Sequence, residues 1–195
     1  MIELITTLPI WQIIRSSGIA SYILLAVGIC LGILYSFPFF KGKNKVRLHK
    51  MHTFSTISGT GIGMLHGMIT VIDQYTAFNW SEVLIPFTAV RAPVLNGLGT
   101  LSVYGMLLLI FTSDIRHKLQ KKVWLLIHML SYPIFIMAFI HGYFLGTDSN
   151  LSGIRWVYFG SITLVISLTA LRAALVPTSS RFKSSKLKST VQRDF

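Results

Sequence analysis

The sequence predicts an all-α integral membrane protein, a bundle of about five transmembrane helices with its N-terminus outside and its C-terminus in the cytoplasm. Three observations carry that expectation. Apolar residues make up 52% of the 195-residue chain and charged residues only 12%, against roughly 25% charged in ordinary water-soluble domains. Five apolar stretches reach or approach the roughly 20 residues a helix needs to cross about 30 Å of hydrocarbon. Lysine and arginine gather beside alternate ends of those stretches, which is the positive-inside pattern. The net charge of +12 therefore reads as membrane topology. A nucleic-acid partner would need that charge on one folded, water-facing surface, so none is expected.

Residues 1–16 mix Ile, Leu and Trp11 with Glu3, Gln12 and Arg15, a pattern that suits a segment lying in the outer interface. The first span covers 17–36. Its length, the basic flank that follows it and the lack of a small-residue cleavage site argue against a signal peptide. The lone Cys30 lies within it and can form no internal disulfide. A basic loop with Lys41, Lys43, Lys45, Arg47 and Lys50 leads into the second span, 51–72. The segment 81–94 is apolar but interrupted by Pro86, Arg91 and Pro93, and reads as a loop or re-entrant segment. The third span covers 95–112, and Arg116, Lys118, Lys121 and Lys122 precede the fourth, 123–145. The fifth, 155–176, carries Arg172 near one end, where its stem can snorkel to the headgroups. The tail, 177–195, is Ser- and Lys-rich, and is expected to be disordered and held near anionic lipid. By this arrangement fifteen Lys and Arg lie on the cytoplasmic side and three, Arg15, Arg91 and Arg155, on the other.

Four of the six histidines lie inside two spans: His52 and His66 in the second, His128 and His141 in the fourth. An ionisable side chain in hydrocarbon is costly and marks a functional site by default. His52 and His66 are 14 residues apart and His128 and His141 are 13 apart, about 21 Å and 19.5 Å along a helix. Both helices start on the cytoplasmic side, so His52 and His128 share the inner leaflet and His66 and His141 the outer one. Two facing pairs, one per leaflet, are what two stacked b-type haems with bis-histidine ligation require; imidazole is a good ligand for iron, and bundles build such sites from facing helices. The phase sets a further condition. Fourteen steps of about 100° keep His66 on the face of His52, whereas thirteen leave His141 roughly 140° from His128. Pro133 lies between them and offers a kink. Gly59 and Gly63 suit either the close approach of a flat haem or small-xxx-small helix packing. His49 and His117 fall in the basic loops and read as solvated loop residues. Asp73 falls about 10 Å beyond His66 on nearly the same face. With Arg91 of the long outer loop it forms a candidate acceptor site, the alternative being a helix end in water and a contact with lipid headgroups.

These histidines, one span apart, with thirteen residues between His52 and His66 and twelve between His128 and His141, resemble those of the ferric reductase-like transmembrane domain. That domain is the haem-carrying core of ferric reductases and NADPH oxidases. The Arg47-Leu48-His49-Lys50-Met51-His52 run fits the same pattern, and the resemblance covers roughly 15–175. It implies a diheme domain over 17–176 of a multi-pass plasma-membrane protein of bacterial type. That protein would pass single electrons from a cytoplasmic flavoprotein or quinol to an extracytoplasmic acceptor such as ferric iron, dioxygen or a partner protein. It also places small members of this kind beside the haem subunit of the periplasmic methionine sulfoxide reductase system. The family core has six spans, and this chain looks like that core without the first. No Gly-rich phosphate loop is present, so neither a flavin nor a nicotinamide site is expected here and the electron donor would be a separate partner. The rivals are a quinol-reactive subunit of a larger redox complex, a proton transporter whose histidines relay protons, and a non-catalytic scaffold. The relay would favour carboxylates within the spans, and the nearest, Asp73, lies at an outer end.

Overall fold

In a computed structural model residues 9–73 and 77–175 are described, and these are helices and connections with no strand among them. The basic tail and the first eight residues of the expected interfacial segment lie outside the described residues. Helix α1 (Ile10–Tyr35) is followed by α2 (Gly42–Thr70), the short α3 (Trp80–Leu84), α4 (Pro93–Asp114), a 3-10 turn (Arg116–Lys118), α5 (Lys121–Met129), α6 (Ser131–Leu145) and α7 (Ser152–Ala174). Four segments are long and apolar enough to cross a membrane: α1, α4, α5–α6 together, and α7. Helix α2 is the longest of those described, at 29 residues, but Ser55, Ser58, Thr60, its glycines and its three histidines dilute the apolar character that the other four have.

Two helices start earlier than the residue pattern suggests. Residues 10–16, expected in the interface, continue α1 without a break; the Ser16 and Ser17 hydroxyls donate to the Ile13 and Ile14 carbonyls, so neither serine competes with the helix from outside it. The basic stretch before the second span is likewise helical from Gly42, because Lys, Arg and Leu are good helix formers once a neighbouring span supports them.

Contacts along the helices give the directions. Ser21 Oγ donates to the Gly59 carbonyl at 2.7 Å, and the His66 and His52 rings reach Ile14 and Gly28, so α1 and α2 are antiparallel. His141 reaches Leu95 and Ile134 lies against Gly105, so α4 and α6 are antiparallel too. Arg15 pairs with Asp148, Tyr22 with Ser161 at 2.6 Å, and Arg172 with Ser36 at 2.9 Å, so α7 runs parallel to α1. The core between α1, α6 and α7 is aromatic. Tyr22 stacks on Phe135 at 5.5 Å and meets Tyr158 at 4.6 Å, with Phe139 and Tyr143 packed against Tyr158.

The fourth apolar stretch is broken. Helix α5 ends at Met129 and α6 begins at Ser131, where the Leu130 N–H turns to the Ile127 carbonyl three residues back. Pro133 causes this: it cannot donate to the Met129 carbonyl, and its ring crowds that group. On the other side of the bundle, Glu82 orders the connection between α3 and α4 by accepting the Asn79 and Val90 N–H groups, each at 2.8 Å. Those two bonds hold the exposed Glu82 carboxyl below its ordinary pKa.

Candidate functional site: two histidine pairs

The four histidines expected within spans meet as two pairs. The rings of His52 and His128 stand 6.2 Å apart, centre to centre, and those of His66 and His141 stand 6.3 Å apart. The planes within the pairs are inclined at 66° and 82°. The break at Leu130 separates His128 on α5 from His141 on α6, which removes the requirement for a regular helix to bring both to one side.

Three rings are oriented by the backbone of a helix that carries no histidine. His52 Nδ1 lies 2.8 Å from the Gly28 carbonyl oxygen, His66 Nδ1 lies 2.9 Å from that of Ile14, and His141 Nδ1 lies 2.9 Å from that of Leu95. A carbonyl only accepts, so each Nδ1 carries the proton and each Nε2 keeps a free lone pair on the other edge of the ring. Four residues beyond each accepting carbonyl stands a glycine: Gly32, Gly18 and Gly99. A Cβ at these positions would lie 3.1 Å from His52, 3.0 Å from His66 and 2.6 Å from His141. The ring thus stands where a side chain would begin: at Gly99 a Cβ would force it to move, and at Gly18 and Gly32 it would press the ring by a few tenths of an ångström. These glycines escape a reading centred on the histidines. The signal that finds them is spacing: Gly18 and Gly32 are 14 apart, like His52 and His66.

His128 differs. Its Nδ1 is buried with no partner, and so is Nε1 of Trp124, one turn earlier. The two rings stack at 5.1 Å, inclined by 22°.

Of the other expected site residues, Gly59 and Gly63 face α1. Cβ atoms there would meet Leu24 and Leu25 at 3.1 Å and Ser21 Oγ at 2.9 Å, so close helix packing is the role their surroundings display. Asp73 is buried just past the end of α2 while Arg91 is exposed, and no ion pair joins them. Among the described residues an ion pair at that end joins Arg15 to Asp148 and ties α1 to the α6–α7 connection. At the opposite end His49 lies on α2 against Tyr35 at 5.5 Å. Burial, then Arg116 and His52, hold its imidazole below the ordinary pKa. His117 lies in the 3-10 turn. Comparison with protein-family models, with curated proteins and with solved structures gives no match, and the reading of the site rests on its own geometry.

Proposed function

We propose that the protein is a diheme cytochrome b subunit, holding one b-type haem in each leaflet. It carries single electrons across the membrane from a cytoplasmic flavoprotein or quinol to an extracytoplasmic acceptor. The spacing within the histidine pairs carries this reading. With a metal–imidazole bond of about 2.0–2.1 Å and a ring nitrogen about 1.1 Å from its ring centre, two rings holding one metal from opposite sides would stand about 6.3 Å apart, and two at a tetrahedral angle about 5 Å. The pairs measure 6.2 and 6.3 Å. Among the described residues no three His, Cys, Asp or Glu side chains converge. Two side chains under-coordinate a bare ion, whereas iron inside a macrocycle needs only its two axial ligands.

His52 and His128 would hold the inner iron, and His66 and His141 the outer one. When bound, the haems supply the one-electron chemistry. The chain supplies ligation, orientation through the Nδ1–H···O=C bonds, and an apolar jacket that keeps water from the irons. The same reading takes α2 as a fifth span despite its polar residues, since Ser55, Gly59 and Thr60 are buried against the bundle and not spent on a lipid face. It sets the N-terminus outside and the basic ends of α2 and α5 in the cytoplasm of a bacterial-type cell.

The test is an absorption spectrum of the purified protein, oxidised and then reduced with dithionite, together with haem per polypeptide. Two haems per chain with b-type bands are expected. A colourless protein from haem-replete cells overturns the reading.

A further inference from the structure

The asymmetry at His128 has a structural source in α4. In α1 the accepting carbonyls and their glycines recur at 14 residues, Ile14 with Gly18 and Gly28 with Gly32, matching the 14-residue step of His66 and His52. In α4 Leu95 and Gly99 serve His141. The step from His141 back to His128 is 13 residues, and 13 residues on from Leu95 and Gly99 stand Leu108 and Thr112. The fourth position of the pattern is thus a threonine. Thr112 is buried, and its hydroxyl donates to the Leu108 carbonyl at 2.7 Å. That carbonyl is the one which, by register, would accept from His128. Leu109 and Ile127 belong to one packed cluster, so this part of α4 does face α5. By that register Thr112 stands at the position that glycine holds beside the other three rings, and the His128 ring stacks on Trp124.

We infer that Thr112 and Trp124 are positioning residues that make the inner haem the more oxidising of the two. This rests on the diheme reading above. An Nδ1–H bond to a carbonyl gives imidazole some imidazolate character, which makes it a stronger donor to iron and favours the ferric state. The outer pair has two such bonds, from His66 and His141. The inner pair has one, from His52. Charge acts with the same sign, since the basic ends of α2 and α5 lie by the inner pair and favour the reduced, less positive haem. An electron therefore rests on the inner haem, and its step outward is uphill within the protein. An inside-negative membrane potential offsets that step, because it favours movement of an electron outward. The ordering makes outward transfer responsive to energisation of the membrane.

The experiment is an optical redox titration of the detergent-solubilised, haem-loaded protein. His141→Ala, which retains the inner haem, identifies that component, and it is expected to be the more positive of the two in the unmodified chain. Thr112→Gly frees the Leu108 carbonyl and opens room for the ring. It should move the inner component negative by about tenfold in the ferric-to-ferrous ratio at fixed potential, ~59 mV for one electron, and leave the outer component in place. Thr112→Val removes the hydroxyl but keeps the bulk, and should leave both components unmoved. Inner haem as the more negative component overturns the proposal, as does a Thr112→Gly protein with both haems and unchanged potentials. If Thr112→Gly does not load haem, the ordering in His141→Ala decides alone. Failure of the diheme reading is separate and appears as an absence of b-type bands before any titration begins.

Discussion

At the residue scale, the hydrogen-bonded imidazoles rest on helices that carry no histidine of their own, and glycine sets how close they come. A Cβ at Gly99 would lie 2.6 Å from both Cε1 and Nδ1 of His141, a distance that forces the ring to move. Gly99→Ala should therefore lose the outer haem and keep the inner one, measured as haem per chain and by the surviving component in a redox titration. Gly61 is the control, since a Cβ there meets nothing within 4 Å and alanine is the better helix former by about 1 kcal/mol. Gly61→Ala should keep both haems and unfold no earlier than the parent. The histidines give a second prediction. Because His66 faces His141 and His52 faces His128, His66→Ala and His141→Ala should remove the same haem. If the two variants keep different haems, or if either keeps two bis-histidine haems by magnetic resonance, the pairing is wrong.

At the element scale, the broken helix α5–α6 reconciles a 13-residue step with a two-layer site. Pro133→Ala restores a backbone N–H four residues after the Met129 carbonyl, and about 3 kcal/mol of helix penalty disappears with the proline. A straightened helix would turn His128 roughly 140° from His141. The expected result is unchanged or slightly higher helix content by circular dichroism with one haem lost. Full loading of both sites would show that the break belongs to Leu130 and not to the proline. This element also illustrates what the sequence made legible. Depth is linear in residue number, so both histidine pairs followed from helix rise alone, and proline announced the break between them. The apolar stretches located the long helices to within a few residues except at the start of α1 and α2. There Ser16, Ser17 and the Lys-rich run read as boundaries, although their backbones stay helical. The glycine seats were missed because they are set by contacts between helices distant in sequence. Gly59 and Gly63, adjacent to a histidine, drew attention that Gly18, Gly32 and Gly99 required. The outer charges show the same limit: helix phase aligns Asp73 with His66, whereas the ion pair of Arg15 with Asp148 joins segments distant in sequence.

At the scale of the whole molecule, helix direction and charge have to agree. The antiparallel packing of α1 on α2 and of α4 on α6, with α7 parallel to α1, puts Arg15, Leu95, His141 and Asp148 at one end and Ser36, His52, His128 and Arg172 at the other. The second end carries the lysines and arginines of α2 and α5 as well. Cytoplasmic segments near a membrane hold the excess of Lys and Arg, so the His52–His128 end should face the cytoplasm and electrons should enter there. Site-directed cysteines test this without any haem assay. Cys30 is buried in α1, so the native chain should give a silent background with a membrane-impermeant maleimide. Asn150, in the α6–α7 connection, and Asn44, in the first turn of α2, are both exposed and lie at opposite ends. In intact cells Asn150→Cys should label and Asn44→Cys should not, and disrupting the membrane should make Asn44→Cys label as well. Asn79→Cys, before α3, should follow Asn150. The reverse pattern would invert the topology, and with it the direction of electron flow and the assignment of inner and outer haems. Labelling at both ends of intact cells would instead exclude α2 as a span, since Asn44 and Asn79 flank that helix.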